Sequence, residues 1–194
     1  MSDSLKGKLV ILFIFGLALV AVVAALWYRY EQTRRTLGYW GPENAALLKS
    51  SAEAELIELA PPNAPIDAQS ETLEVDGQRR RIVRRVDITR ARGLVNVRNA
   101  LTLDASYGWD TAATNCHSDW DYALRLTDGP QEVVLLLDMQ CGQVRPLDGS
   151  KAAHIDPILD GLREFFSEQF PPAEPQASPD APAKSPAVGE QGRS

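Results

Sequence analysis

From Leu9 to Trp27 the chain carries no charged residue and consists almost entirely of Leu, Ile, Val, Phe and Ala. At about 1.5 Å per helical residue, such a run of roughly 19 positions spans about 28 Å, close to the thickness of a bilayer's hydrocarbon core. Trp27, Tyr28 and Tyr30 close the run, and their amphipathic rings suit the headgroup level. The pattern predicts a single membrane anchor over residues 1–30, touching lipid through residues 9–27. A cleaved signal peptide is the competing reading, because Val23-Ala24-Ala25 offers small residues for cleavage. The apolar run exceeds the roughly 7 to 15 residues usual for a signal, which favours an uncleaved anchor.

Charge decides the orientation only weakly. Lys6 and Lys8 flank one end against Asp3, while Arg29, Arg34 and Arg35 flank the other, so the positive-inside rule leans toward a cytoplasmic C-terminus. The cysteine pair described below argues the opposite, since a crosslink persists in an oxidising compartment. On that ground the expected topology is a cytoplasmic N-terminus and an external C-terminal domain.

Beyond the anchor, residues 31–44 read as a juxtamembrane connection: a basic, aromatic continuation of the helix that Gly41-Pro42 interrupts, with Pro42 opening a short helix to Leu48. Ala54 to Leu59 reads as a strand, and Pro61-Pro62-Asn63-Ala64-Pro65 as an extended link. Leu73 to Val75 and Arg81 to Ile88 read as strands around an Asp76-Gly77 turn. Thr89 is the expected N-cap of a three-turn amphipathic helix carrying Leu94, Val97 and Leu101. Val144 to Leu147 with Asp148-Gly149 suggests a short hairpin. Asp156-Pro157 then opens a closing helix whose one face holds Ile158, Leu159, Leu162, Phe165, Phe166 and Phe170. Six of the 13 prolines follow Phe170, and residues 171–194 read as a disordered tail without apolar periodicity.

The best-defined segment is Trp120 to Met139, where Trp120, Tyr122, Leu124 and Leu126 alternate with more polar positions up to Asp128-Gly129-Pro130. If Leu124 faces Val133, then Tyr122 faces Leu135 and Trp120 faces Leu137, and one hairpin face is wholly apolar. The opposite face then sets Arg125 against Glu132. Pro130 argues against a strict two-residue turn, which leaves open a four-residue loop or a register shift of two. Either keeps the same face inward. The element order predicts an α+β domain over residues 45–170, an antiparallel sheet with helices packed on one face.

In that register Cys116 and Cys141 lie opposite one another, within reach of a disulfide. Closing the loop would contribute about 3 to 4 kcal/mol by chain-entropy arithmetic. Two free, buried cysteines are the alternative.

Ligand-type side chains cluster at Cys116-His117-Ser118-Asp119-Trp120-Asp121, with Asp138 and Cys141 across the hairpin. Strand parity sends the two cysteines to one face and His117, Asp119, Asp121 and Asp138 to the other, so they do not form one metal set. No metal or cofactor is expected. A membrane-tethered enzyme would use His117 with Asp119 or Asp121, yet no nucleophile elbow, phosphate-binding glycine loop or H-E-x-x-H helix accompanies them. A non-catalytic domain is the expectation.

Between Arg79 and Arg98 there are eight arginines against one acid, Asp87. This gives a local +7 in a chain of net charge −6 and leaves −13 on the remainder. Arg79, Arg80, Arg81, Arg84 and Arg85 are candidate contacts for an acidic protein, as in an immunity-type binding module, or for an anionic envelope component. They equally suit cross-strand pairs with Glu53, Glu55, Glu58, Glu71 and Glu74. Nucleic acid is not expected, because no aromatic residues are interleaved to stack bases.

The C-terminal half, through Leu101, Ser106-Tyr107-Gly108-Trp109, Cys116, Tyr122-Ala123-Leu124-Arg125, Val133 to Leu137, Cys141 and the helix from Pro157, resembles a loose group of uncharacterised bacterial exported or membrane-anchored proteins. These have a two-cysteine hairpin and a closing helix. The resemblance implies the disulfide placement and a bacterial envelope setting, and brings no activity with it. The resulting expectation is a single-pass bacterial inner-membrane protein with a periplasmic structural or interaction domain.

Overall fold

A computed structural model describes residues 3–111, 116, 118–149 and 151–170. The tail assigned to residues 171–194 lies outside them. Three helices come first: α1 (Asp3–Glu31), α2 (Arg34–Trp40) and α3 (Pro42–Ser50). The strands β1 (Glu53–Leu59), β2 (Thr72–Val75) and β3 (Gln78–Asp87) lead to α4 (Leu94–Leu101) and a 3-10 turn at Asp104–Ser106. Then follow β4 (Tyr122–Asp128), β5 (Gln131–Asp138), β6 (Gln143–Pro146), β7 (Ala153–His154), a 3-10 turn at Asp156–Ile158, and α5 (Leu159–Gln169). α1 is long and apolar enough to cross a membrane over Ile11–Glu31, with a mean hydropathy of 2.6 and none of the span buried.

The fold is α+β, with seven antiparallel strands ordered β2-β3-β1-β4-β5-β6-β7. Helices α2 to α5 contribute to one apolar cluster, where Trp40, Leu48, Leu101, Leu162 and Phe166 meet Leu56, Leu124, Leu135 and Leu137 of the strands. Burial of this single face is what makes the helical periodicity of α4 and α5 legible in the sequence.

The other face carries a second, smaller core, to which no helix among the described residues contributes: Ile57, Leu59, Leu73, Val75, Trp120, Ala123, Val134 and Leu136. It stays dry because the sheet curls. In a flat sheet β2 and β6 would lie about 24 Å apart, five strand spacings away. Yet Arg145 Nη2 on β6 is 2.6 Å from Asp76 Oδ1 in the turn that follows β2. The same guanidinium donates to the carbonyls of Leu147 at 3.3 Å and Gly149 at 2.5 Å. A buried arginine thus latches the two ends of the curl.

Several local expectations change. The β4–β5 hairpin pairs Tyr122 with Leu137, Leu124 with Leu135 and Leu126 with Val133, the register shifted by two. Asp128 pairs with Gln131, so Gly129-Pro130 is itself the two-residue turn. Gly129 has φ +58°, and a glycine first with proline second fits the type II′ pattern, which asks for positive φ only at the first position. Arg125 consequently sits opposite Val134 and meets Glu132 diagonally at 3.5 Å. Trp120 does not continue the alternation: at φ +42° it turns into the second core. Thr89 does not cap α4, whose N-cap is Gly93 at φ +95°. Its hydroxyl instead accepts the Ala54 N–H at 3.0 Å, tying the end of β3 to β1. α4 is therefore eight residues long, just over two turns.

The stretch read as a connection, residues 31–44, contributes directly to the core: Thr36 and Trp40 are buried against the domain.

Candidate functional site

The most built-up polar arrangement joins the long apolar helix to the domain. α1 stops at Glu31 because Thr33 competes for its ladder. Its Oγ1 donates to Arg29 O at 3.2 Å, while its N–H turns to Tyr30 O at 3.2 Å. In an unbroken helix the Thr36 N–H would donate to Gln32 O. Asp104, from the 3-10 turn after α4, inserts between them. Its N–H donates to Gln32 O at 2.9 Å, and its Oδ1 accepts the Thr36 N–H at 2.7 Å and the Thr36 hydroxyl at 2.5 Å. Its Oδ2 accepts the Arg35 N–H at 3.0 Å. One residue from elsewhere in the chain thus satisfies both sides of the helix break and places a carboxylate at the N-terminus of α2, where the helix dipole favours it.

An aromatic cluster backs this joint. Trp40 Nε1 donates to Tyr107 Oη at 2.9 Å and Leu101 O at 3.1 Å, and Trp109 Nε1 to Asp104 O at 3.0 Å. Tyr39 stacks edge-on to Trp40 and Trp109, and its hydroxyl lies 2.8 Å from Val144 O and 2.9 Å from Lys151 O, sharing its one proton between the two carbonyls. Burial pushes the phenols of Tyr39 and Tyr107 well above the ordinary range, so both serve as neutral donors. Sequence reasoning assigned no role to Asp104, Tyr39, Tyr107 or Trp109. The Ser106-Tyr107-Gly108-Trp109 motif was the signal that could have drawn attention to them.

The candidate arginines do not form one patch. Arg79 is exposed opposite Glu74, and Arg81 is half-buried. Arg80 is buried, its Nε and Nη2 donating to Ala60 O at 3.0 and 2.5 Å and its Nη2 to Asp119 O at 2.8 Å. Burial weakens its hold on the proton, and Asp119 and Asp121 oppose that. Arg84 pairs with Glu58 at 2.6 Å and lies 4.7 Å over the Phe170 ring. Arg85 bridges Glu55 at 3.4 Å and Glu71 at 3.1 Å. Arg125 extends that chain, to Glu55 at 3.3 Å and Glu132 at 3.5 Å. A ladder of alternating charge thus crosses β3, β1, β4 and β5 on the face without helices, along a polar groove of about 800 Å³.

Cys116 and Cys141 are at disulfide distance, Cα atoms 5.8 Å apart, although neither lies on a ladder. Asp138, fully buried, organises both approaches. Its Oδ1 accepts the N–H groups of Gln140 at 2.8 Å and Cys141 at 2.7 Å, and its Oδ2 that of Asp119 at 3.1 Å. Asp121 accepts the Met139 N–H at 3.2 Å. Its carboxyl is pushed up first by burial and then by Asp138 and Asp119, against the Met139 hydrogen bond and Arg80. His117 lies outside the described residues. Among the described residues no three His, Cys, Asp or Glu side chains are grouped to hold a metal ion. The Asp121 and Asp138 carboxylates accept backbone N–H groups.

A groove of about 430 Å³ separates α4 from α5, lined by Val97, Ala100, Leu162 and Phe165 with Arg92 and Glu168 among its polar residues. Comparison with protein-family models, curated proteins and solved structures finds no match to this chain. The bacterial resemblance rests on the residues quoted for it alone.

Proposed function

We propose that the chain is a single-pass membrane protein whose anchor displays a non-catalytic α+β interaction domain on the oxidising side of a bacterial inner membrane, with the N-terminus in the cytoplasm. The observation that carries this reading is the apolar helix over Ile11–Glu31, unburied along its length and separated by only two residues from a helix belonging to the domain core. Unburied apolar surface on this scale requires lipid or a partner to cover it. Placement on the oxidising side is supported by the Cys116–Cys141 pair, since such crosslinks persist in the periplasm and are rare in the cytosol. A display role fits the Asp138 carboxylate, both of whose oxygens accept backbone N–H groups, and Asp121 Oδ2, which accepts one from Met139.

The test combines extraction and labelling. Alkaline carbonate should leave the full chain in the membrane pellet. A thiol reagent that crosses only the outer membrane should label Cys116 and Cys141 after reductant and not before. Release into the carbonate supernatant overturns the anchor; labelling only by a reagent delivered to the cytosol overturns the topology.

A further inference from the structure

Resting on the membrane-anchored reading, we infer that the base of the domain is itself a phospholipid-binding surface, with α2 and the Leu103–Asp104 segment seated in the headgroup layer of the leaflet that α1 leaves. The argument is one of distance. Tyr30 ends the aromatic belt, and Thr36, six residues later, is already buried in the domain. The break at Gln32–Thr33 stays hydrogen-bonded to Tyr28 O and Tyr30 O, so these six residues rise no more than about 9 Å, close to the roughly 5 to 8 Å depth of the polar layer of each leaflet. The domain has no stalk on which to stand clear of the membrane.

The side chains turned outward there suit that layer. Leu37 is 40% exposed and Leu103 39% exposed, two apolar residues left uncovered beside a fully formed core. Leu103 comes from a segment 66 residues further along the chain than Leu37, held at this level by the Asp104–Gln32 hydrogen bond. Arg34 and Arg35 flank them, with guanidinium groups held among the described residues by ion pairs of 3.8 Å to Glu31 and 3.6 Å to Asp110. Both contacts are longer than hydrogen bonds, so the donors can reach phosphate oxygens, and arginine's fork matches a phosphodiester. Glu31, Asp104 and Asp110 balance Arg29, Arg34 and Arg35 in this region, so the surface recognises the phosphate common to zwitterionic and anionic phospholipids. An exclusively anionic surface is not required.

The experiment places spin labels in the full chain, reconstituted in liposomes of equal parts phosphatidylcholine and phosphatidylglycerol. Labels at Leu37→Cys and Leu103→Cys should show the collision balance of headgroup depth, between oxygen dissolved in lipid and a nickel chelate dissolved in water. A label at Val95→Cys, on the exposed side of α4, should be aqueous, and one at Val20→Cys should be in hydrocarbon. Replacing Arg34 and Arg35 together with Gln should at least double the chelate accessibility at positions 37 and 103, leaving position 20 unchanged. Positions 37 and 103 as aqueous as 95, with 20 in hydrocarbon, overturn the surface while the anchor stands. An unchanged double variant overturns the phosphate contact. An aqueous position 20 removes the anchor, and the surface with it.

Discussion

The guanidinium carbon of Arg145 lies 4.8 Å from the centroid of the Trp120 ring, so a buried cation covers the one aromatic residue that enters the second core through a left-handed backbone. A tryptophan at positive φ is costly, and it is held there by its surroundings: Arg80 on the preceding carbonyl, Asp121 on the Met139 N–H, and Arg145 above the ring.

Arg145→Met should therefore destabilise the domain by roughly 3 kcal/mol, the cost of removing one member of a buried polar cluster and leaving its carbonyl partners unpaired. Asp76→Asn should cost less than about 1 kcal/mol, because Asp76 is largely exposed and water screens the pair. Urea titration of both variants checks the order; an Arg145→Met midpoint equal to the parent's shows that the curl does not depend on the latch.

Asp104→Ala removes every side-chain acceptor at the start of α2 and should cost about 2 kcal/mol, at the upper end for a helix cap because the Thr36 hydroxyl also loses its partner. Asp104→Asn keeps one acceptor oxygen and should recover about half. Hydrogen exchange of the Arg35 and Thr36 amides gives a local reading: both should exchange at least tenfold faster in the alanine variant, and unchanged protection contradicts the cap.

Replacing Cys116 and Cys141 with Ser, singly or together, should lower stability by about 3.5 kcal/mol for the separation of 25 residues. The single and double variants should match, since one lost sulfur already opens the loop. A double variant as stable as the parent would mean that Asp138, through the Asp119, Gln140 and Cys141 N–H groups, holds the segment without the crosslink.

The Asp121 carboxyl is raised above its ordinary 3.8 by burial, so the folded chain binds this proton more tightly than the unfolded chain does. Its contribution to stability is fully present below pH 3.8 and is lost as pH rises through the raised value. Relative to the parent, Asp121→Asn should gain stability across that window and level off above it. Denaturation midpoints of the two proteins, compared through the acidic range, check the sign; a variant that loses stability relative to the parent as pH rises contradicts it.

How far the sequence alone could reach varies by element. β1 and the Asp76-Gly77 turn are legible because alternation and positive-φ chemistry are local signals. Trp120, expected on the inner face of the β4–β5 hairpin, turns to the other, but from Tyr122 onward that face was legible for the same reason, and a shift of two leaves it unchanged. The second core was not. The run Val133–Leu137 is apolar at every position, as expected of a strand buried on both faces, but which residues cover the far face depends on a curl that the Arg145–Asp76 contact spans and that no local pattern announces. Asp104 was equally hidden, because a cap supplied from 68 residues away has no signature in either segment. The arginine run overstated its unity: adjacent strand positions diverge, so Arg84 reaches Phe170 while Arg85 joins the acidic ladder.

Among the described strands, β1 alone has both sheet neighbours, β3 and β4, later in the chain. A nascent polypeptide therefore carries Leu56 and Ile57 with both backbone edges open until Gln78–Asp87 has emerged, and with one edge still open until Tyr122–Asp128 has followed. Whatever receives this chain as it emerges must shield that strand for the whole of the interval, since the remaining strands can pair with a neighbour already delivered or next to arrive.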